Sequence, residues 1–292
     1  DLVIVTGDMV YPVPFQSGTI NNLNATKLFA ATMESLGVYW TVSFGNHDTE
    51  VYSLYNREKI SDYYEKTDFD YCVYTAGPKE IDGYGNQVIA VENSGGIVTQ
   101  ALVIFDSHAY TKGFYQEYDN IHENQVVWYK NEIERLSALN ASRGVTGVVK
   151  SLAFFHIPLV EMKTAWFEYI DNGFKSTADV KYFYGQAGES GKVVYSGTGE
   201  DNLFETMIAL ESTQGVFVGH DHLNNFSISY NGGAGDYYIR LTASLSIDYL
   251  AYPGIHKQVA QRGGTVITTA TDGSFDCYGL RLYDKGILYQ ID

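Results

Sequence analysis

The stretch YWTVSFGNHD, residues 39–48, reads as a buried strand that breaks at Gly45 into a polar tip, Asn46-His47-Asp48. The same pattern recurs three times. LVIVTGD (2–8) ends on Gly7-Asp8, SLAFFHIP (151–158) carries His156, and GVFVGHDH (215–222) ends on Gly219-His220-Asp221-His222. Strand ends that carry carboxylate, carboxamide and imidazole groups point to an α/β protein, because open α/β sheets bind ligands outside the carboxyl ends of their strands.

Taken singly, each motif has an ordinary explanation. Gly-Asp marks a turn, Asn46 or Asp48 can cap a following helix, and a histidine after an apolar run is commonly a hydrogen-bonded core residue. The conjunction of all four in this order suggests a metal centre. Two divalent ions roughly 3.5–4 Å apart clamp a phosphate and activate a water at neutral pH. Such a pair needs a bridge, which makes Asp8 the natural bridging ligand, while imidazoles suit zinc, iron and similar metals. Asn46, His156 and His220 complete one metal position and leave His222 for the other. His47 remains beside the site, where its pKa range suits a general acid for a leaving alkoxide. Asp48 is expected to orient that imidazole.

In this order the motifs resemble the signature of the calcineurin-like metallophosphoesterase superfamily: Asp-x-His, Gly-Asp, Gly-Asn-His-Asp/Glu, a strand-end His, and Gly-His-x-His. DSHAY (106–110), NQVVWYKNEIERL (124–136), FFHIPLVE (154–161) and GVFVGHDHLNNF (215–226) are similar to its compact purple-acid-phosphatase-like branch, and the similarity runs over nearly the whole chain. The resemblance implies a four-layer α/β/β/α sandwich, with two mixed sheets face to face and helices outside. Residues 1–292 would then be a single metallophosphoesterase domain. It implies a dinuclear centre of Fe, Mn or Zn: Asp8 bridging, Asn46, His156 and His220 on one ion, His222 on the other, and His47 against the substrate phosphate. The implied activity is phosphoester hydrolysis, monoesters first, with a metal-bound hydroxide as nucleophile and His47 as acid. Phosphodiester hydrolysis uses the same core. A ligand-depleted, protein-binding scaffold is the remaining alternative.

One part of that signature is not in the sequence, namely the Asp-x-His strand ahead of Gly-Asp. The domain is therefore expected to lack its first strand, with the second metal held by few ligands and turnover by the chain reduced. Tyr11 stands at the Gly-Asp-x-x-Tyr spacing through which purple acid phosphatases supply a tyrosinate to ferric iron. Asp106-Ser-His108 spells Asp-x-His out of order, so His108 is expected to line the pocket or to be structural. Arg262, with Glu161 and Glu200, lies in stretches similar to the branch near its active site and is a candidate grip on phosphate. His122 and His256 have no motif around them.

Composition narrows the partners. Nineteen basic against thirty-five acidic residues give a net charge of −16, which argues against a nucleic-acid backbone as ligand. A small phosphorylated substrate or a phosphoprotein remains sensible, because bound cations invert the local field. No apolar run is long enough to cross a bilayer, and Cys72 and Cys277 do not fix a compartment. Periodicity predicts strands near 2–6, 38–44, 70–75, 87–92, 100–106, 150–156 and 215–219. Helices are predicted near 22–36, 51–65, 121–139 and 200–212, followed by β runs at 225–230, 236–243, 264–271 and 275–283 that suggest a second sheet.

Overall fold

The computed structural model describes residues 1–11, 15, 18–233, 235–248, 251 and 261–286; His256 lies outside them. Its largest element is a seven-stranded mixed sheet. In chain order the strands are β3 (Gln87–Glu92), β4 (Val98–Ile104), β5 (Ser151–Phe155), β6 (Val180–Tyr184), β7 (Thr213–Val218), β8 (Ser227–Tyr230) and β9 (Ile239–Ala243), and they lie side by side as β3-β4-β5-β7-β9-β8-β6. The central four, β4, β5, β7 and β9, are parallel, and antiparallel strands flank them. Strand β5, SLAFF, is buried at all five positions, as a parallel strand covered on both faces must be.

Side chains alternate across a strand, so the two faces of this sheet can be read residue by residue. Val103, Phe105, Ala153, Phe155, Val216 and Val218 face three helices: α3 (Glu123–Ser142), α4 (Val160–Asp171) and α5 (Leu203–Leu210). Leu102, Ile104, Leu152, Phe154 and Phe217 face the other way. There they meet Leu2 and Ile4 of β1 (Leu2–Thr6) and Ile267, Phe275 and Cys277 of β10 (Gly263–Thr269) and β11 (Phe275–Arg281). Strand β1 pairs in parallel with β2 (Tyr39–Ser43). Beyond that pair, Trp40, Val42 and Phe44 pack on Ala30 and Met33 of α1 (Asn22–Ser35) and on Ile60 and Tyr64 of α2 (Arg57–Lys66). The order of layers is helix, strand, strand, helix, as expected.

Several expectations need correction. Among the described residues the second β layer is two separate pairs, β1–β2 and β10–β11, and not one continuous sheet. β8 and β9 join the large sheet because β9 pairs with β7, so only the last two β runs lie in the second layer. Residues 70–75 form no strand; Cys72 makes one isolated bridge to Trp40. The helix predicted over 51–65 starts at Arg57, where Asn56 caps it by accepting from the Lys59 amide at 3.0 Å. Strand β6 and helix α4 were not anticipated. Among the described residues no helix is long and apolar enough to cross a membrane.

The parallel strands β1, β2, β5 and β7 bring their carboxyl ends to one region, although they come from two layers. Glycine permits this close approach. A Cβ on Gly7 would lie 2.5 Å from His156 Nδ1, and one on Gly45 would lie 2.1 Å from Asp8 Oδ1.

Candidate metal centre

Thr6 ends β1, and its carbonyl oxygen lies 2.7 Å from His156 Nδ1. A carbonyl only accepts, so Nδ1 carries the proton and the neutral ring keeps its lone pair on Nε2. Tyr110 supplies a similar constraint on Asn46. Its hydroxyl donates to Glu50 Oε1 at 3.2 Å and accepts from Asn46 Nδ2 at 2.9 Å, which turns Asn46 Oδ1 inward. That oxygen lies 3.0 Å from His156 Nε2. Asp8 Oδ2 lies 3.0 Å from the same nitrogen, and His220 Nδ1 lies 3.2 Å from it.

Four electron-pair donors therefore meet at one place. Asp8 Oδ2 is buried there without an aligned hydrogen-bond donor. One proton on His156 can serve one or two of these contacts, whereas a cation serves all four. Donors around a tetrahedral transition metal with bonds of about 2.0–2.1 Å sit about 3.3 Å apart, close to the spacing found here. The residues present thus fit a divalent metal.

The ionisable groups of this cluster shift one another strongly. Burial would raise the Asp8 carboxyl, but His156 beside it holds it well below the carboxylate range. Burial would lower His156, and the adjacent Asp8 charge outweighs it and raises the imidazole. His220 is pushed well below its ordinary value, first by burial and then by His156. Asp8 and His220 both adopt left-handed backbone, with φ of 55° and 73°. Non-glycine residues rarely do so, and such strain is concentrated at functional sites.

The structure corrects the roles expected of the neighbours. Asp48 does not orient His47: its carboxylate accepts the amides of Asp8 (3.0 Å), Val10 (3.0 Å) and Gly45 (2.8 Å), which ties the two loops together. Burial, and next the Asp8 charge, push its pKa to about 6. The partner of His47 is Glu50, whose Oε1 lies 2.6 Å from Nδ1. Sequence reasoning chose Asp48 because it is adjacent in the chain, but an i,i+3 turn brings Glu50 to the ring instead. Tyr11 packs its ring against His47 with centroids 4.2 Å apart, and burial, then Glu50 and Asp8, raise its phenol.

His222 is not among the converging donors. Its Nδ1 lies 2.6 Å from Asp248 Oδ2, a carboxylate that sequence reasoning missed, and this holds the ring in one orientation. Arg262 is buried and donates to the carbonyls of His222 (2.6 Å) and Asp248 (2.9 Å), so it braces this loop pair where a grip on phosphate was expected. His108 likewise stands apart from the centre, stacked on His122 with ring centroids 3.9 Å apart; burial lowers its pKa. Asp106 forms a buried ion pair with Arg57, whose Nη2 also donates to Gly45 O at 2.7 Å and anchors the Gly45–Asp48 loop. Glu161 sits in the first turn of α4, and Glu200 is exposed.

No protein-family model matches the chain. It is 30% identical over 254 residues to probable inactive purple acid phosphatase 29 of Arabidopsis thaliana, covering 80% of this chain and 59% of that protein. It is 26% identical over 257 residues to probable inactive purple acid phosphatase 28 of the same plant, covering 80% and 58%. The chain thus spans under two thirds of these relatives. Its fold matches that of a dimetal phosphatase from Danio rerio, with a TM-score of 0.50 at 10% identity over 83% of this chain and 71% of that one. The chain is thus similar to purple acid phosphatase-like proteins and shares its fold with a dimetal phosphatase, a pairing consistent with the calcineurin-like metallophosphoesterase superfamily.

Proposed function

We propose that the chain is a metal-dependent phosphoester hydrolase that acts first on monoesters. The observation that carries this reading is the meeting of Asp8 Oδ2, Asn46 Oδ1 and His220 Nδ1 around His156 Nε2, with His47 alongside. A carboxylate, a carboxamide and imidazoles suit zinc, iron or manganese. Two cations, when bound, would supply Lewis acidity and lower the pKa of a coordinated water. His222, turned by Asp248, and the shared Asp8 carboxylate would hold the second.

The chain's own residues account for the remaining chemistry. Glu50 accepts the Nδ1 proton of His47, which directs the Nε2 side of that ring away from Glu50 and toward a leaving oxygen. The His47 amide donates to Asp8 Oδ1 at 2.8 Å, so acid and ligand loops are held in one register. Tyr11 packs its tilted ring against the His47 ring and restricts its swing.

A second reading has one observation in its favour: the relatives are named probable inactive, which suits a metal-binding fold without turnover. Metal content measured together with hydrolysis of a chromogenic monoester and a chromogenic diester tests both. Metal-dependent monoester turnover that falls in His47→Ala while metal is retained supports the proposal. Neither ester cleaved, with or without bound metal, rejects the hydrolase and supports the ligand-depleted scaffold.

A further inference from the structure

Between β4 and α3 the chain folds back on itself. Thr111 N donates to Glu117 O at 2.9 Å, Asp119 N donates to Ala109 O at 3.2 Å, and Tyr110 bridges to Tyr118. The arms of this hairpin touch the metal centre: Tyr110 holds Asn46, and the Tyr118 ring packs edge-on against His220 with centroids 4.3 Å apart. The tip is open to solvent, with Phe114 93% and Tyr115 86% exposed. At its base stand His108, Asp119 and His122, which offer one ligand atom each, all within 4.8 Å of one another.

We propose that His108, Asp119 and His122 are a separate cation site, of the zinc class, that clamps the base of this hairpin. The hydrogen bonds around the histidines set their tautomers for it. Gln125 Nε2 donates to Asn86 Oδ1 and Asp106 O, both at 2.8 Å, so Gln125 Oε1 is the acceptor facing His108 Nε2 at 2.9 Å. His108 therefore carries its proton on Nε2 and its lone pair on Nδ1. His122 Nδ1 faces Asp82 Oδ2 at 2.8 Å, and donation to that carboxylate leaves the lone pair on Nε2. Histidines that ligate metals characteristically commit their other N–H to a carboxylate or carbonyl in this way.

The third contact points the same way. His122 Nε2 lies 3.4 Å from Asp119 Oδ1. A charge-assisted N–H to carboxylate bond runs about 2.7–2.9 Å, whereas donors on one tetrahedral zinc sit about 3.3 Å apart. The two rings stack 3.9 Å apart, which disfavours a charge on both; in-plane lone pairs of stacked rings run side by side, so an ion shared by both would turn one ring out of the stack. Two imidazoles and a carboxylate leave a fourth position for water or Asp82. An ion here would fix the arms that hold Asn46 and pack on His220, without contributing a group to that centre. The hairpin cluster stands whether or not the main centre hydrolyses phosphoesters.

The test uses the full chain, stripped of metal and titrated with zinc chloride, with Asn46→Ala and His220→Ala disarming the main centre. Zinc that survives gel filtration is counted by mass spectrometry, and tryptic cleavage after Lys112 is timed. The proposal expects about one zinc per chain. That zinc should fall to a trace when His122→Ala or Asp119→Asn is added, and zinc should slow cleavage about tenfold only when the cluster is intact. If the disarmed chain does not fold, the wild-type zinc count should fall by one in Asp119→Asn. Zinc retention unaffected by both substitutions, or a folded disarmed chain that retains none, overturns the site and leaves an imidazolium–carboxylate pair. Zinc that depends on His122 in a chain without hydrolytic activity would reject the phosphatase reading and keep this one.

Discussion

At the scale of residues, the centre is specified by which nitrogen carries a proton. Thr6 O accepts from His156 Nδ1, Glu50 Oε1 accepts from His47 Nδ1, and Tyr110 fixes the Asn46 carboxamide. Glu50→Gln should lower turnover substantially with metal content unchanged, because a neutral amide stabilises the imidazolium less; kcat and bound metal measured together check this. His47→Ala should lose about 10²–10⁴-fold in kcat. Unchanged activity in that variant would remove His47 from the acid role. Asn46→Ala should instead lose metal, read directly as ions per chain. His47, Asp8, Asn46 and His156 were all legible from the sequence, since each ends a periodic apolar run. Glu50, Tyr110 and Asp248 were not, because their partners are brought to them by turns and by distant loops that periodicity does not encode.

At the scale of elements, the loops are held by a few buried anchors. Asp106 faces Arg57 with 0% and 13% of the two side chains exposed, and it also accepts from Tyr84 N at 2.8 Å. Asp106→Ala leaves the Arg57 charge buried without its counterion, which should cost about 3–5 kcal/mol of stability in urea unfolding. A loss under about 1 kcal/mol would mean that Arg57 finds water instead. Most strands were readable because the central sheet is buried on both faces and its runs are continuous: LVIF before Asp106, SLAFF before His156, GVFV before Gly219. Strand β6 was not readable. Its pattern of buried, exposed and half-buried residues at the sheet edge carries little apolar signal.

At the scale of the molecule, ionisation and metal binding couple to folding. Burial, with Asp201 and Glu205 nearby, raises Glu161 from 4.5 to about 7. The folded state then holds this proton where the unfolded state has released it, so stability falls as pH rises from about 4.5 to about 7 and is level above. The loss is about 1–2 kcal/mol once solvent screening of a half-buried carboxyl is allowed for. Glu161→Gln should flatten that part of the curve and be the more stable form at pH 8, as chemical denaturation across pH would show. Metal bound only by the folded chain adds stability by mass action, so a chelator should lower the melting temperature of wild type by more than that of Asn46→Ala.

The sequence alone determined the alternating α/β pattern and the four loaded strand ends, because buried strands and glycine-terminated tips leave a local pattern in composition and spacing, while the layering was implied only by the resemblance. Tertiary structure decided what those ends do to one another. Only the packing of β1 and β2 over β5 and β7 sets three donor atoms about 3 Å from His156 Nε2, turns His222 to Asp248, gives His47 to Glu50, and brings His108 face to face with the motifless His122. Those pairings join residues from separate parts of the chain, and burial fixes them; no local period carries that information.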